Sequence, residues 1–150
     1  MKKIISLSTV ILLLVFLLLN WGCCPSVKSQ NHNEVTIQLQ AVTINGKKHL
    51  KLSDSNGNVA TDHLVTQVSK GGTVTWKLKS SSKIVSIERI YSTEAESKIF
   101  KGDAQRQGNS NVFKLKVPDN VASETMEKYN IIYIHKDGSK VEVDPYIRIE

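Results

Sequence analysis

From residue 34 to the end of the chain, apolar and polar residues alternate in short segments. Val35, Ile37 and Leu39, for example, alternate with Thr and Gln. A period of two places every second side chain on the same face, which is typical of a β-strand with one buried and one solvated face. Segments of this character are predicted to be strands, at 35–44, 48–52, 63–68, 73–79, 84–91, 113–117, 129–134 and 141–149.

Turn-forming residues separate these segments at short intervals. Asn45-Gly46 and Asp137-Gly138 predict tight hairpins because these residue types tolerate positive φ, and Gly71-Gly72 predicts a turn. Only two short helical turns are expected, one at 93–96, where a capping box is present, and one at 120–128. Seven or eight short strands without a long helical segment indicate an all-β chain folded as an antiparallel β-sandwich.

Two of the predicted strands carry apolar residues on both faces. The segment 129–134 is predicted to be a central strand for this reason. In the segment 84–91, strict alternation places Ile84 and Ile90 on one face and Ile87 on the other. Pro145 has no backbone N–H to donate, so we expect it to interrupt the last ladder at an edge or a bulge.

The stretch from Gly71 to Trp76, followed by the Tyr129–Ile149 hairpin, resembles the frame of immunoglobulin-like and cupredoxin-like sandwiches. The resemblance implies a Greek-key arrangement of the strands. It also implies that Tyr129 acts as a tyrosine corner, in which the phenol bonds back to an upstream backbone group. A likeness at the level of the fold implies no particular function.

The N-terminal stretch has the three parts of a secretory signal: a positive start, an apolar middle at 4–19 and a small residue at the cut. Gly22 directly before Cys23 resembles the lipobox of bacterial lipoproteins. In that family the signal is removed before the cysteine, and lipid such as palmitate is attached to this residue. The resemblance implies a signal peptide at 1–22, a lipidated Cys23 with a flexible tether at 23–33, and a β-sandwich domain at 34–150.

The lipobox departs from the family pattern at Asn20 and Trp21, where Leu and a small residue are preferred. Ordinary cleavage after Ser29 is therefore an alternative, and it leaves a mature chain without cysteine. An uncleaved membrane anchor is a further alternative, although the apolar segment is shorter than the roughly 20 residues of a membrane span. Acylation of Cys24 instead of Cys23 requires Cys23 to act as the small residue before the cut.

The mature chain carries a mild positive charge. Loss of Lys2 and Lys3 with the signal leaves 18 of the 20 basic residues against 14 acidic ones, a net charge of +4. This excess favours contact with acidic polymers or lipid headgroups, whereas a nucleic-acid binder needs a clustered basic face. Export also argues against nucleic acid. The two cysteines are adjacent at the anchor, so the domain depends on its core without a disulfide.

The histidines do not have the pattern of a metal site. A blue-copper centre needs a cysteine thiolate near its last hairpin; His135 is present there, but Tyr133 stands where the thiolate is expected. Residues 54–58 begin like a calcium loop, but the sixth position, where the loop needs glycine, is Val59, and the final glutamate is missing, so a tight turn is predicted. The remaining histidines show no local ligand spacing: His32, His49 and His63.

No catalytic constellation is recognisable in the sequence. The chain lacks a Gly-x-Ser-x-Gly elbow, and its only thiols are at the anchor. Two carboxylate pairs, Glu94 with Glu96 and Glu142 with Asp144, occupy positions that are expected to be exposed. We therefore expect a non-catalytic protein without catalytic residues, a cofactor or a metal.

Lysines provide the candidate binding surface. Alternation places Lys77 and Lys79 on the polar face of one strand and Lys114 and Lys116 on that of another, so neighbouring strands would bring the four lysines together. Such a face is typical of a solvated surface, or of contact with an acidic partner. Three more lysines flank the first hairpin: Lys47, Lys48 and Lys51.

Together these features predict a lipid-anchored binding or structural module of the bacterial cell envelope. In a Gram-negative cell, its place is the outer membrane or the periplasmic face. The expected partners are the membrane, through the anchor, and a protein or an acidic envelope polymer. A periplasmic inhibitor or immunity-type lipoprotein and an accessory subunit of an envelope enzyme are the alternatives. The sequence specifies neither the ligand nor the oligomeric state.

Overall fold

The computed structural model describes residues 31–150, so the predicted signal, Cys23 and nearly all of the predicted tether lie outside the described residues. The described part is all-β and contains eleven strands. They are β1 Glu34–Ile44, β2 Lys47–Asp54, β3 Val59–Thr61, β4 Val65–Val68, β5 Thr73–Leu78, β6 Ile84–Ser92, β7 Gln105–Arg106, β8 Phe113–Lys116, β9 Met126–His135, β10 Lys140–Val143 and β11 Tyr146–Ile149.

The strands form two sheets that pack into a β-sandwich. The first sheet has the order β3-β2-β1-β5-β8-β7, and the second has the order β10-β9-β11-β4, with β6 also paired to β9. Most pairs are antiparallel, but β1 runs parallel to β5 and β4 runs parallel to β11. Both sheets are therefore mixed, which corrects the prediction of a purely antiparallel sandwich.

The strand number also differs from the predicted seven or eight, for two local reasons. The strands β3 and β7 have three and two residues, which is too short for alternation to be recognised. The predicted strand 141–149 is divided into β10 and β11 at Pro145. The register on β9 continues across this break, because the amide of Tyr129 donates to the carbonyl of Pro145 at 3.0 Å. Pro145 thus divides the predicted strand, but the register against β9 does not shift there, so the structure has no bulge at this residue.

The strand β6 shows the largest departure from strict alternation. Two register shifts against β9 occur between Ile84 and Ser86 and between Ile87 and Arg89. Each β-bulge adds a residue and turns the following side chains to the opposite face. Ile84, Ile87 and Ile90 are therefore all buried, so the prediction that Ile87 faces away from Ile84 and Ile90 is wrong.

Side chains from β7 and from the segment between β7 and β8 cap the free backbone edge of β6. Asn111 accepts a hydrogen bond from the amide of Ile87 through Oδ1 (2.9 Å) and donates to the carbonyl of Val85 through Nδ2 (3.0 Å). Arg106 donates to the carbonyl of Ile87. An edge strand with satisfied backbone groups is a poor template for pairing with another chain.

The predicted turns are present, whereas the predicted helical turns are not. Asn45 and Gly46 have φ values of 50° and 75°, as a two-residue type I′ hairpin requires. At the last hairpin the amide of Gly138 donates to the carbonyl of His135 at 2.9 Å. Residues 93–96 form no helix, and the end of the predicted turn at 120–128 belongs to β9. Among residues 31–150, no helix is long and apolar enough to cross a membrane.

An aromatic cluster joins the two sheets at the centre of the core. Trp76 of β5 and Tyr129 of β9 are fully buried, and their ring centroids lie 5.6 Å apart in an edge-on arrangement. Phe100 stacks on Tyr129 at 5.4 Å. The indole Nε1 of Trp76 donates to the hydroxyl of Tyr129 at 3.0 Å. Tyr129 therefore bonds to a side chain of the opposite sheet, which corrects the expected backbone bond of a tyrosine corner.

Candidate functional site

The outer face of the first sheet carries the predicted lysine surface. The strands β5 and β8 are neighbours, with Thr73 opposite Lys116 and Thr75 opposite Lys114. Because Trp76 of β5 faces the core, Lys77 points to the same outer side as Thr75. Lys77, Lys79, Lys114 and Lys116 are all exposed and share this face, so the prediction that they come together is confirmed.

Two lysines of the first hairpin extend this surface on β2. Lys51 lies opposite Gln40 of β1, and both side chains point away from the core. Lys47 occupies the same outer register at the start of β2. Lys48 differs, because alternation turns it towards the second sheet, where its Nζ lies 2.5 Å from Asp137 and 2.6 Å from Ser139. This contact lowers the pKa of Asp137 and links the tips of two hairpins.

The charges on the outer face of the first sheet are almost entirely positive. Six lysines occupy it, whereas its carboxylates are Glu34 of β1 and Asp62, which contacts His49 of β2. Of these lysines, Lys116 donates to the carbonyl of Gly71. None of the six forms an ion pair within residues 31–150: Lys47, Lys51, Lys77, Lys79, Lys114 and Lys116.

The outer face of the second sheet has the opposite character, because its cations lie beside carboxylates. Lys140 contacts Glu88 at 3.0 Å, and Arg89 contacts Asp103 at 2.5 and 3.0 Å. The hydrogen bond to Asp103 raises the pKa of Arg89. Two further pairs complete the set, Lys128 with Asp144 and Arg148 with Glu124. Charge is therefore neutralised within this face.

Two open clefts adjoin this second face. The larger, of about 600 Å³, is lined by residues 92–103, and the smaller, of about 450 Å³, is lined by parts of β9 and β10. Glu142, at the smaller cleft, accepts hydrogen bonds from Tyr91 (2.9 Å) and Asn130. Asp144 bonds Lys128 and has a lowered pKa for that reason. The predicted carboxylate pair thus shares one face and serves as hydrogen-bond acceptors for neighbouring side chains.

A buried carboxylate that was not predicted from the sequence lies beside the larger cleft. Glu127 is 2% exposed and accepts hydrogen bonds from the amides of Lys98 (3.1 Å) and Ile99 (3.0 Å). Ser97 also donates to it through its hydroxyl. These bonds hold the segment that delivers Phe100 to the aromatic cluster. Only the position of Glu127 two residues before Tyr129, on the inward face of a strand, could have indicated its burial.

Each histidine lies beside a carboxylate in a different part of the sandwich. His49 is 2.6 Å from Asp62, His63 is 3.0 Å from Asp144, and His135 is 3.1 Å from Asp137. His32 contacts Glu150. Within residues 31–150, no group of three or more His, Cys, Asp or Glu side chains is placed to hold a metal ion.

The other two positions considered for metal binding, the turn at 54–58 and Tyr133, have structural roles. Asp54 accepts hydrogen bonds from the amides of Asn56 (3.0 Å) and Asn58 (2.9 Å), which closes the tight turn predicted for 54–58. Tyr133 stands where a blue-copper protein would have its thiolate. It is fully buried between the sheets, and its hydroxyl has no hydrogen-bond partner among the described residues. Burial raises the pKa of Tyr133 to about 12, so its phenol stays neutral at ordinary pH.

Comparisons with known proteins do not show a family for this chain. No protein-family model and no curated protein match the chain. One matching solved structure is SGBP-B of the Bacteroides ovatus mixed-linkage glucan utilization locus, in complex with a mixed-linkage heptasaccharide. The match is 12% identical, covers 77% of this chain and 37% of that chain, and has a TM-score of 0.24. This chain spans little more than a third of that protein, and so low a TM-score does not establish a common fold.

Proposed function

We propose that this chain is a lipid-anchored, non-catalytic binding module of the bacterial cell envelope. Its binding surface is the outer face of the first sheet, and its partner is acidic. The difference in charge pairing between the two outer faces is the observation that carries this proposal. The second face neutralises its cations with its own carboxylates, whereas the six lysines of the first face form no ion pair with any residue of the described range 31–150.

Solubility alone does not favour such a distribution. A solvated surface is best served by charges of both signs interspersed, and like charges within about 8 Å repel one another at physiological salt. The repulsion among the lysines of β5 and β8 is relieved when an anion lies over them. The positive potential of the first face is therefore complementary to that of an acidic partner.

The anchor belongs to the same proposal. Lipidation at Cys23 followed by a tether to residue 33 would hold the domain within about 35 Å of the membrane, the reach of roughly ten extended residues. Gly22-Cys23 supports this placement. An envelope location gives the lysine face access to acidic polymers of the cell wall or surface. The Greek-key, immunoglobulin-like classification is also proposed, supported by Trp76 packing across the sandwich on Tyr129.

A non-catalytic role is proposed from the contacts of the carboxylates. Glu142 and Asp144 accept hydrogen bonds from neighbouring side chains, and Glu127 is enclosed by the segment 97–99. A general acid or base needs a proton-transfer partner in a substrate, and these groups are committed to protein donors. These three carboxylates therefore serve to stabilise the second sheet and the segment packed against it.

Two triple variants test the binding surface at equal change in charge. The first replaces Lys77, Lys114 and Lys116 by Gln; the second replaces three cations of the other face, Lys128, Lys140 and Arg148, by Gln. The full chain, purified in neutral detergent, is titrated with poly(glycerol phosphate), and thermal unfolding checks that each variant is folded.

Loss of three exposed contacts should weaken binding by about 10- to 100-fold, at two- to fivefold for each lysine. The second variant should bind within about twofold of the wild type, because its cations already have partners. Equal weakening in both variants would show that net charge alone matters. Absence of binding by the wild-type chain at low salt to this polymer and to polygalacturonate would end the proposal.

A further inference from the structure

Four lysines of the first face form a line along the boundary of β5 and β8. Lys77 lies on the outer side of β5 and Lys79 directly follows the end of that strand, while Lys114 and Lys116 lie on the outer side of β8. Thr75, one outer position before Lys77, lies opposite Lys114, and Thr73 lies opposite Lys116. Along the strand direction the order is therefore Lys79, Lys77, Lys114 and Lys116, each one outer position beyond the last.

The spacing of this line follows from strand geometry. Successive outer positions are about 6.7 Å apart along a strand, so the four Cβ positions extend over about 20 Å. The step from Lys77 to Lys114 also moves sideways by one strand, about 4.8 Å. Neighbouring lysines thus lie within about one Debye length of each other at physiological salt, and a single extended anion feels all four charges together.

On the side of β1, neutral polar side chains flank most of the line, and Glu34 lies opposite Thr73 at the end near Lys116. Gln38 lies opposite Lys77, and Thr36 lies opposite Thr75. No aromatic residue occupies an outer position of the first sheet's described strands, so sugar rings find no stacking platform there. Recognition on this surface depends on charge, with amide and hydroxyl donors beside it.

We infer that this line binds a linear polyanion, a phosphate- or carboxylate-bearing envelope polymer that lies along β5 and β8. The inference rests on the proposed function and specifies the shape of the acidic partner. A compact anion covers one or two lysines and leaves the others unpaired. An anionic membrane is a plane, so it would engage Lys51 and Lys47 on β2 as strongly as the line itself.

A charge-swap variant separates a line from a general basic face. Lys77→Gln combined with Gln38→Lys keeps the composition, the net charge and the face, and moves one cation about 4.8 Å sideways onto β1. Gln38 lies directly opposite Lys77, which makes the exchange local. Lys77→Gln alone removes a cation from the line, and Lys51→Gln removes one from the same face outside the line.

The full chain in neutral detergent is titrated with two linear probes, poly(glycerol phosphate) and polygalacturonate, and with inorganic phosphate. Association with vesicles of phosphatidylglycerol in phosphatidylcholine is measured for the full chain by flotation. The two polymers distinguish phosphate from carboxylate as the anionic group, and inorganic phosphate tests a compact anion of the same chemistry.

If the four lysines act as a linear site, Lys77→Gln and the charge swap should both weaken the binding of at least one polymer by about two- to fivefold. Lys51→Gln should change that binding by less than twofold. Inorganic phosphate should bind at least tenfold more weakly per molecule than the polymer.

Two results would refute the inference that the four lysines act as a linear site, while leaving the whole basic face as the proposed binding site. In the first, the swap binds like the wild type while Lys77→Gln is weakened. In the second, vesicle binding exceeds polymer binding and depends equally on Lys51 and Lys77. If Lys77→Gln binds every anion as the wild type does, the line and the proposed site both fail.

Discussion

The bond between Trp76 and Tyr129 gives the sharpest test of the core. Tyr129→Phe removes one hydroxyl and keeps the ring that packs against Trp76 and Phe100. Trp76 is fully buried, so its indole N–H loses the 3.0 Å bond without gaining water. An unsatisfied buried donor costs about 1–3 kcal/mol, and we expect the free energy of unfolding to fall by that amount.

Urea unfolding followed by tryptophan fluorescence measures this loss directly. With a slope of about 1–3 kcal/mol per M, the midpoint should fall by on the order of 1 M while the slope stays the same. Tyr91→Phe is the matched control, because its hydroxyl bonds Glu142 on the surface and its loss should cost less than about 0.5 kcal/mol. A loss below about 0.5 kcal/mol in Tyr129→Phe would refute the buried bond.

The Tyr129→Phe variant should also change how the free energy of unfolding depends on pH. Burial raises the pKa of Tyr129 far above its usual value of 10 and that of Tyr133 to about 12. An unfolded tyrosine titrates near pH 10, so above that pH the unfolded chain releases protons that the folded chain retains. The stability from these neutral phenols is complete below pH 10 and declines as pH rises above it. This alkaline decline should be smaller in Tyr129→Phe, and an unchanged slope would contradict the assignment.

Three further substitutions test the edge, a turn and the anchor. Asn111→Ala uncovers the amide of Ile87, so it should cost about 1–2 kcal/mol in urea unfolding and promote self-association in sedimentation; a sedimentation profile identical to that of the wild type would refute the capping role. Gly72→Ala places a Cβ 2.8 Å from the carbonyl of Ser69 and should lower stability by about 1–3 kcal/mol; an unaltered urea midpoint would show that the turn can relax. Cys23→Ala should abolish labelling by radioactive palmitate and membrane retention, and persistence of both would refute the anchor at this residue.

The lysine face was predictable because it depends on alternation alone. Val74 and Trp76 are strongly apolar, so Lys77, which alternates with them in β5, must face water. The same reasoning places Lys114 and Lys116 outside. Alternation does not identify a strand's partner, however, so the adjacency of β5 and β8 came only from the structure. The parallel pairing of β1 with β5 was missed for the same reason.

Other features were not predictable from a local pattern. The bulges of β6 change its period, so Ile87 was assigned to the wrong face although its apolar character was recognised. Ile99 and Phe100 are isolated apolar residues in a polar segment, and they are buried because Glu127 bonds the backbone beside them. Such burial results from a contact between residues distant in sequence, which periodicity does not detect.

A localised binding map tests the central claim, that an acidic polymer binds the lysine face of the first sheet. The ¹⁵N-labelled full chain in neutral detergent is titrated with poly(glycerol phosphate) while amide chemical shifts are recorded. The predicted result is a set of shifts concentrated on β5 and β8, including Thr75, Lys77 and Lys114, that disappears at about 1 M salt. Shifts concentrated instead around Tyr91 and Asn130, beside the clefts of the second sheet, would contradict it.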